Sequence, residues 1–277
     1  MTALATAGPL YATTLGTSGP RVVLLHGLFG QGKNFTSLGR SLSDVARVTL
    51  LDLPDHGRSP WSASFSYPQM AATVAAQLEA PQSEGTGEPV TVVGHSMGGK
   101  VAMALALLHP ALVARLCVVD VAPVDTEAMT DFGRYVDGMR SVDLETLRDR
   151  SSADAALVPA VPDPVIRGFL LQNLRREAGG WRWQMNLSLL GDQLPAIAGW
   201  PDLTAPPYGA DPFTGPVLWL AGSESGYVRP AYAPAMRALF PRVRTVTVKG
   251  AGHWVHADQP AVVADLLRRF LDPTARS

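Results

Sequence analysis

The chain predicts an α/β fold: a mostly parallel sheet flanked by helices, with a helical cap inserted between two of its later strands. Three observations predict it. Apolar runs rich in β-branched residues alternate with helix-patterned segments, the order that builds a parallel sheet covered on both faces. The run Val90-Thr91-Val92-Val93 enters Gly94-His95-Ser96-Met97-Gly98, a Gly-x-Ser-x-Gly word, and a helix-forming stretch from Val101 to Leu108 leaves it. Between Pro123 and Pro212 the strand rhythm stops and breakers accumulate.

The elements follow in order along the chain. Arg21 to Leu25 reads as a buried strand ending in His26-Gly27, and Asn34 to Leu42 as a short helix. Arg47 to Leu53 is the next strand, opening into the loop Pro54-Asp55-His56-Gly57-Arg58-Ser59. Tyr67 to Leu78 has a helical pattern, and Gln82 to Glu88, with two glycines and no large apolar residue, reads as a surface loop. Val90 to Val93 and Arg115 to Val121 are strands, as are Pro216 to Ala221 and Val243 to Val248. Ala261 to Leu271 closes the chain with a one-sided apolar helix. In the interrupted region, helical patterns cover Leu144 to Arg150, Val165 to Arg176 and Met185 to Leu190. The reading is therefore a core of residues 1–122 and 213–277 with a cap of residues 123–212, placed over the carboxyl ends of the strands.

Composition narrows the function. At 277 residues and 47% hydrophobic, the chain can bury a large core. A formal net charge of −1 with no basic run argues against a nucleic-acid partner. The one cysteine, Cys117, sits in the apolar run Leu116-Cys117-Val118-Val119 and reads as a buried small hydrophobe. It leaves no disulfide and no cysteine-rich metal site. Met1 to Leu10 lacks a basic segment followed by an apolar core. No apolar run approaches the roughly 18 residues that span a bilayer. A cytoplasmic protein with no membrane partner is the expectation.

The chemistry centres on Ser96. A serine at a sharp strand-to-helix turn needs tiny neighbours two positions away, because the two backbones pass closely there; Gly94 and Gly98 supply them. The turn also points the Met97 amide, at a helix N-terminus, towards any anion forming beside the hydroxyl. A seryl hydroxyl is a weak nucleophile and needs a base, which in turn needs an orienting acid. Of six histidines, His253 stands in a small-residue loop directly after the last strand, Gly250-Ala251-Gly252-His253-Trp254, the place for an imidazole in the order serine, acid, histidine. His256 is the alternative base, and His26, His95 and His109 read as structural. Two carboxylates compete for the acid. Asp120 ends the strand after the elbow helix, where apolar flanks make an unpaired carboxylate costly. Glu224 lies in Gly222-Ser223-Glu224-Ser225-Gly226-Tyr227, where Ser225 stands at the position an aspartate would take. Asp120 is the assignment and Glu224 the alternative. A second oxyanion amide is expected from Leu28, with Phe29 as its rival. The Asp52 to Ser59 loop reads as a brace of the core.

On these residues the chain resembles the α/β-hydrolase superfamily over nearly its whole length, and most of all the small esterases related to bacterial YbfF and the mitochondrial ABHD group. The matching words are His26-Gly27-Leu28-Phe29-Gly30, Asp55-His56-Gly57-Arg58-Ser59-Pro60, Gly94-His95-Ser96-Met97-Gly98-Gly99-Lys100, Val119-Asp120-Val121-Ala122-Pro123-Val124 and Gly250-Ala251-Gly252-His253-Trp254-Val255-His256. In the YbfF-like group the acid lies in the Asp-x-Ala-Pro word and the loop after the cap lacks an aspartate; the resemblance thus implies Asp120. One departure is Pro54-Asp55, where the group often has Arg-Asn. The resemblance implies cofactor-free and metal-free hydrolysis of carboxylic esters, or acyl thioesters, through an acyl-enzyme; the tryptophans and leucines between Pro123 and Pro212 point to an apolar pocket, and small to medium acyl groups are the expectation. A C–C hydrolase or lyase on the same fold is the alternative, and a hydrolase-fold ligand receptor a more distant one.

Overall fold

A computed structural model describes residues 8–80, 88–126 and 130–272. The chain opens with β1 (Ala12–Leu15), β2 (Arg21–Leu25), a 3-10 turn (Gly32–Phe35) running into α1 (Thr36–Leu42), β3 (Arg47–Leu51) and α2 (Tyr67–Glu79). The elbow pair β4 (Val90–His95) and α3 (Met97–Leu108) leads to β5 (Val113–Val119). The chain then leaves the sheet for α4 (Thr130–Ser141), α5 (Arg150–Leu157), α6 (Pro164–Leu171), the hairpin β6 (Leu174–Glu177) and β7 (Gly180–Trp183), α7 (Leu187–Asp192) and α8 (Leu194–Ala198). It returns as β8 (Val217–Gly222), α9 (Ala233–Leu239), β9 (Val243–Val248), α10 (Val255–Asp258) and α11 (Pro260–Leu271).

Seven strands form one sheet in the order β1-β3-β2-β4-β5-β8-β9. β1 runs antiparallel to β3 and the other neighbours run parallel. Strand alternation divides the core in two. Val23, Leu25 and Val92 point to a layer with α2 and α3, while Val22, Leu24 and Val93 point to a layer with α1 and α11. Each such aliphatic side chain, fully buried, contributes roughly 1.5–3 kcal/mol. With the inner strands parallel, the loops after β2, β4, β5, β8 and β9 all emerge at one edge, and the candidate residues lie on them.

The mostly parallel sheet agrees with the expectation, and the differences have local causes. β1 escapes a sequence reading because it is an exposed edge strand with no apolar alternation. Leu144 to Arg150 is not a helix. Asp143 accepts from the amides of Glu145 (3.1 Å) and Thr146 (3.3 Å), a side-chain turn that competes with helix, and Asp149 then caps α5 by accepting from Ser152 N at 2.7 Å. The helix read from Val165 to Arg176 stops at Leu171, and Leu174 pairs with Trp183 in the hairpin. A two-stranded hairpin therefore stands among the helices between β5 and β8. The leader reading falls partly, and the Gln82 to Glu88 loop mostly, outside the described residues. Among the described residues no helix is long and apolar enough to cross a membrane.

Candidate active site

The elbow is built by close packing. A Cβ on Gly94 would stand 2.2 Å from the Gly98 carbonyl oxygen, and one on Gly98 would stand 2.4 Å from those of Leu25 and His26. Only glycine lets β2, β4 and α3 meet so closely. Ser96 between them adopts φ 53°, ψ −123°, a conformation costing on the order of 1–3 kcal/mol for a residue with a Cβ. That strain holds its hydroxyl clear of the sheet edge.

From Ser96 a single line of hydrogen bonds runs inward. His253 Nε2 lies 3.0 Å from Ser96 Oγ, and His253 Nδ1 lies 2.8 Å from Asp120 Oδ2. Asp120 is fully buried and itself takes a positive φ of 53°, which turns its side chain across the end of β8. There Gly222 N donates to Oδ1 at 3.0 Å, and the Ser225 hydroxyl donates to Oδ2. The carboxylate thus accepts three hydrogen bonds, which offset its desolvation. Glu224, the alternative acid, is exposed and is not brought to the imidazole. His256, the alternative base, packs its ring against Phe35 (4.6 Å) and His95 (4.7 Å) instead. Burial lowers its pKa to about 4.

The loop after β2 is a turn closed by Gly30 N donating to Gly27 O at 2.9 Å, with Phe29 at φ 61°. The Phe29 amide donates to His56 Nε2 at 3.2 Å, so it is spent. Among the described residues the amides of Leu28 and Met97 have no such acceptor, and both residues line the cavities at Ser96. The loop that reads as a brace is one. Asp52 accepts from Gly32 N at 2.6 Å and Arg58 N at 2.9 Å, and Asp55 accepts from Ser62 N at 2.8 Å and Asn186 Nδ2 at 2.9 Å.

Three histidines do more than the sequence shows. His26 donates from Nδ1 to Gly27 O (2.8 Å) and accepts at Nε2 from Leu53 N (3.0 Å). His56 donates from Nδ1 to Pro54 O at 2.9 Å while holding the Phe29 amide. His95 donates from Nε2 to the backbone oxygen of His253 at 2.8 Å. Each of these hydrogen-bond patterns is met by a ring with a single N–H, and burial keeps all three neutral: His26 falls to about 4, His56 to about 3 and His95 well below its ordinary value. Tyr227 stacks on the His253 ring at 4.0 Å and 22°. Nothing in local sequence marks Tyr227, whereas His95 and Lys100 stand inside the elbow word itself and could have been found there.

Two small cavities meet at Ser96, Leu28 and Phe132. One, of about 30 Å³, is walled by His253, Trp254, His256, Phe35 and Phe169. The other, of about 20 Å³, is walled by Met97, Lys100, Tyr67, Ile197 and Tyr227. Among the described residues no cluster of histidine, cysteine and acidic side chains could hold a metal ion.

A seryl hydroxyl, an imidazole and a carboxylate aligned at the carboxyl edge of a parallel sheet, beside a glycine-flanked elbow, define a hydrolase-type site on an α/β fold. The chain belongs to the α/β-hydrolase family, whose model matches residues 20–260. It is 39% identical over 258 residues to the sn-1-specific diacylglycerol lipase ABHD11 of Mus musculus, covering 91% of this chain and 81% of that protein. It is 34% identical to Esterase YbfF of Escherichia coli (strain K12), covering 91% and 92%. The solved structure of a marine microorganism esterase superposes with a TM-score of 0.88 at 31% identity, covering 95% of this chain and 99% of that one. The chain thereby falls among the carboxylic ester hydrolases of this fold.

Proposed function

We propose that the protein hydrolyses carboxylic esters of small to medium apolar acyl groups through a covalent acyl-enzyme. His253 removes the proton of Ser96 as its oxygen attacks the carbonyl carbon. Asp120 holds the imidazole in the tautomer that leaves Nε2 bare and stabilises the imidazolium that forms. The amides of Leu28 and Met97 donate to the oxygen that becomes negative. His253 then returns the proton to the departing alcohol. Water repeats the sequence on the acyl-enzyme and frees the acid. Residues 123–212 act as a cap that shapes the two cavities and excludes bulk water.

One observation carries this reading: the unbroken line Ser96 Oγ, His253 Nε2, His253 Nδ1, Asp120 Oδ2, with spacings of 3.0 and 2.8 Å. The names of the esterase and lipase relatives support the same chemistry. Acyl thioesters meet the same groups and differ only in the leaving atom. The test is turnover of p-nitrophenyl acetate and butyrate, with acetyl-thioesters alongside, by the wild type and Ser96→Ala. Loss of turnover by many orders of magnitude in a folded variant is expected. Retention of most of the rate by Ser96→Ala would overturn the assignment.

A further inference from the structure

We propose that Lys100 and Tyr67 limit the length of the acyl group the site accepts, by holding α8 as one wall of the cavity beside Met97. This rests on the serine mechanism above. In that mechanism the leaving group must lie beside His253 Nε2, which protonates it, so the cavity walled by His253, Trp254 and His256 takes the leaving group. The acyl chain must then occupy the other cavity, on the Met97 side of Ser96. That cavity measures about 20 Å³, room for one or two water-sized groups at roughly 10–15 Å³ each. An acetyl or propionyl chain matches that room, whereas an octanoyl chain would have to displace the α8 wall or pass out through the cavity mouth.

The wall is the end of α8. Helix ends leave carbonyls without partners, and these carry the negative end of the helix dipole. Here side chains from the core take them up. Tyr67 Oη donates to Ile197 O at 2.6 Å. Lys100 Nζ donates to Ala198 O at 2.6 Å and to Gly199 O at 2.8 Å, with Thr126 Oγ1 at 3.4 Å. Thr126 N also donates to Ala198 O, at 2.9 Å. Lys100 is 1% exposed, and the carboxylate of Asp125 acts on its charge through space rather than by direct contact. A buried ammonium is costly unless its hydrogens are used, and carbonyls of one short helix end use them. Lys100 projects from α3, the elbow helix, so the wall is tied to the same element that carries the nucleophile. Both tethering side chains line the same cavity.

Alkyl phosphonofluoridates read the cavity length without needing turnover. Ser96 Oγ bonds to phosphorus, the P–F bond breaks, fluoride leaves, His253 takes the seryl proton, and the alkyl group lies where the acyl chain would. The wild type is expected to react with the methyl reagent at least tenfold faster than with the octyl reagent. Lys100→Met should raise the octyl-to-methyl rate ratio at least tenfold. Tyr67→Phe, which removes one oxygen and keeps the packing, should raise it severalfold, and p-nitrophenyl octanoate-to-acetate kcat/KM ratios should follow. Circular dichroism and melting curves establish that each variant is folded. An unchanged ratio in both variants, or a wild type that takes octyl as fast as methyl, would overturn the proposal. Failure of every reagent to label Ser96 would instead overturn the serine mechanism beneath it.

Discussion

Replacing Asp120 by asparagine removes one charge and keeps the shape, and the surroundings dictate how the amide must sit. The Gly222 N–H is fixed by the β8 backbone and donates to Oδ1 at 3.0 Å. The amide oxygen must remain at that position, so the NH2 group takes the place of Oδ2 and faces His253 Nδ1. Two donors cannot face each other, and the imidazole must shift its proton to Nε2. In that tautomer it cannot accept from Ser96 Oγ. The loss expected for such a wrong-tautomer site is about 10⁴ in kcat, or about 5 kcal/mol of transition-state stabilisation. The assay is steady-state hydrolysis of p-nitrophenyl acetate, with Glu224→Gln as the control, whose exposed side chain should change kcat by less than about twofold. An Asp120→Asn enzyme within tenfold of wild type, or a Glu224→Gln enzyme that is the more damaged of the two, would refute this reasoning.

Other consequences follow from the strained and buried groups. Ser96→Gly should be inactive yet melt above Ser96→Ala, since glycine relieves a φ of 53° that alanine cannot; the net gain is about 1 kcal/mol, or about 2–4 °C in a scanning melt. His56→Phe leaves the buried Phe29 amide without its acceptor, and a free energy of unfolding in urea lower by about 1–3 kcal/mol together with a reduced kcat should register it. His26 and His56 have native pKa values lowered to about 4 and about 3, beneath the ordinary 6.5 of an unfolded chain. Between those limits the unfolded state binds more protons, so stability rises with pH and is lost as pH falls from 6.5 towards 4. Each ring contributes at most about 1.4 kcal/mol per pH unit, which urea titrations from pH 7 to 4.5 would measure. A flat stability profile over that window would contradict the neutral, buried state of the two rings.

Much of this architecture is written locally. The elbow can be read because its demands are steric and fall on neighbours, Gly94 and Gly98, within one turn of Ser96. Asp120 can be read because a carboxylate amid Val118, Val119 and Val121 requires a partner. Leu28 and Phe29 could not be separated from sequence, since what divides them is a contact with His56, 27 residues along. Tyr227 is hidden for the same reason, its role depending on a ring 26 positions later. The region between β5 and β8 is the least legible in sequence. Its short elements are set by side-chain turns at Asp143 and Asp149 and by hairpin pairing, which outweigh weak apolar periodicity. α4 is masked in sequence because Gly133 and Gly138 dilute a pattern that Phe132, Val136 and Met139 otherwise carry.

The line of hydrogen bonds joins groups far apart in the chain: His253 reaches back 157 positions to Ser96 and 133 to Asp120. On the proposed mechanism, fragments that stop short of the β9 loop hold a nucleophile and an acid but no base between them. A ribosome elongating this chain would carry an inert elbow through most of synthesis. Competence would arrive only with the final strand and the helices behind it, after every other wall of the site had been laid down.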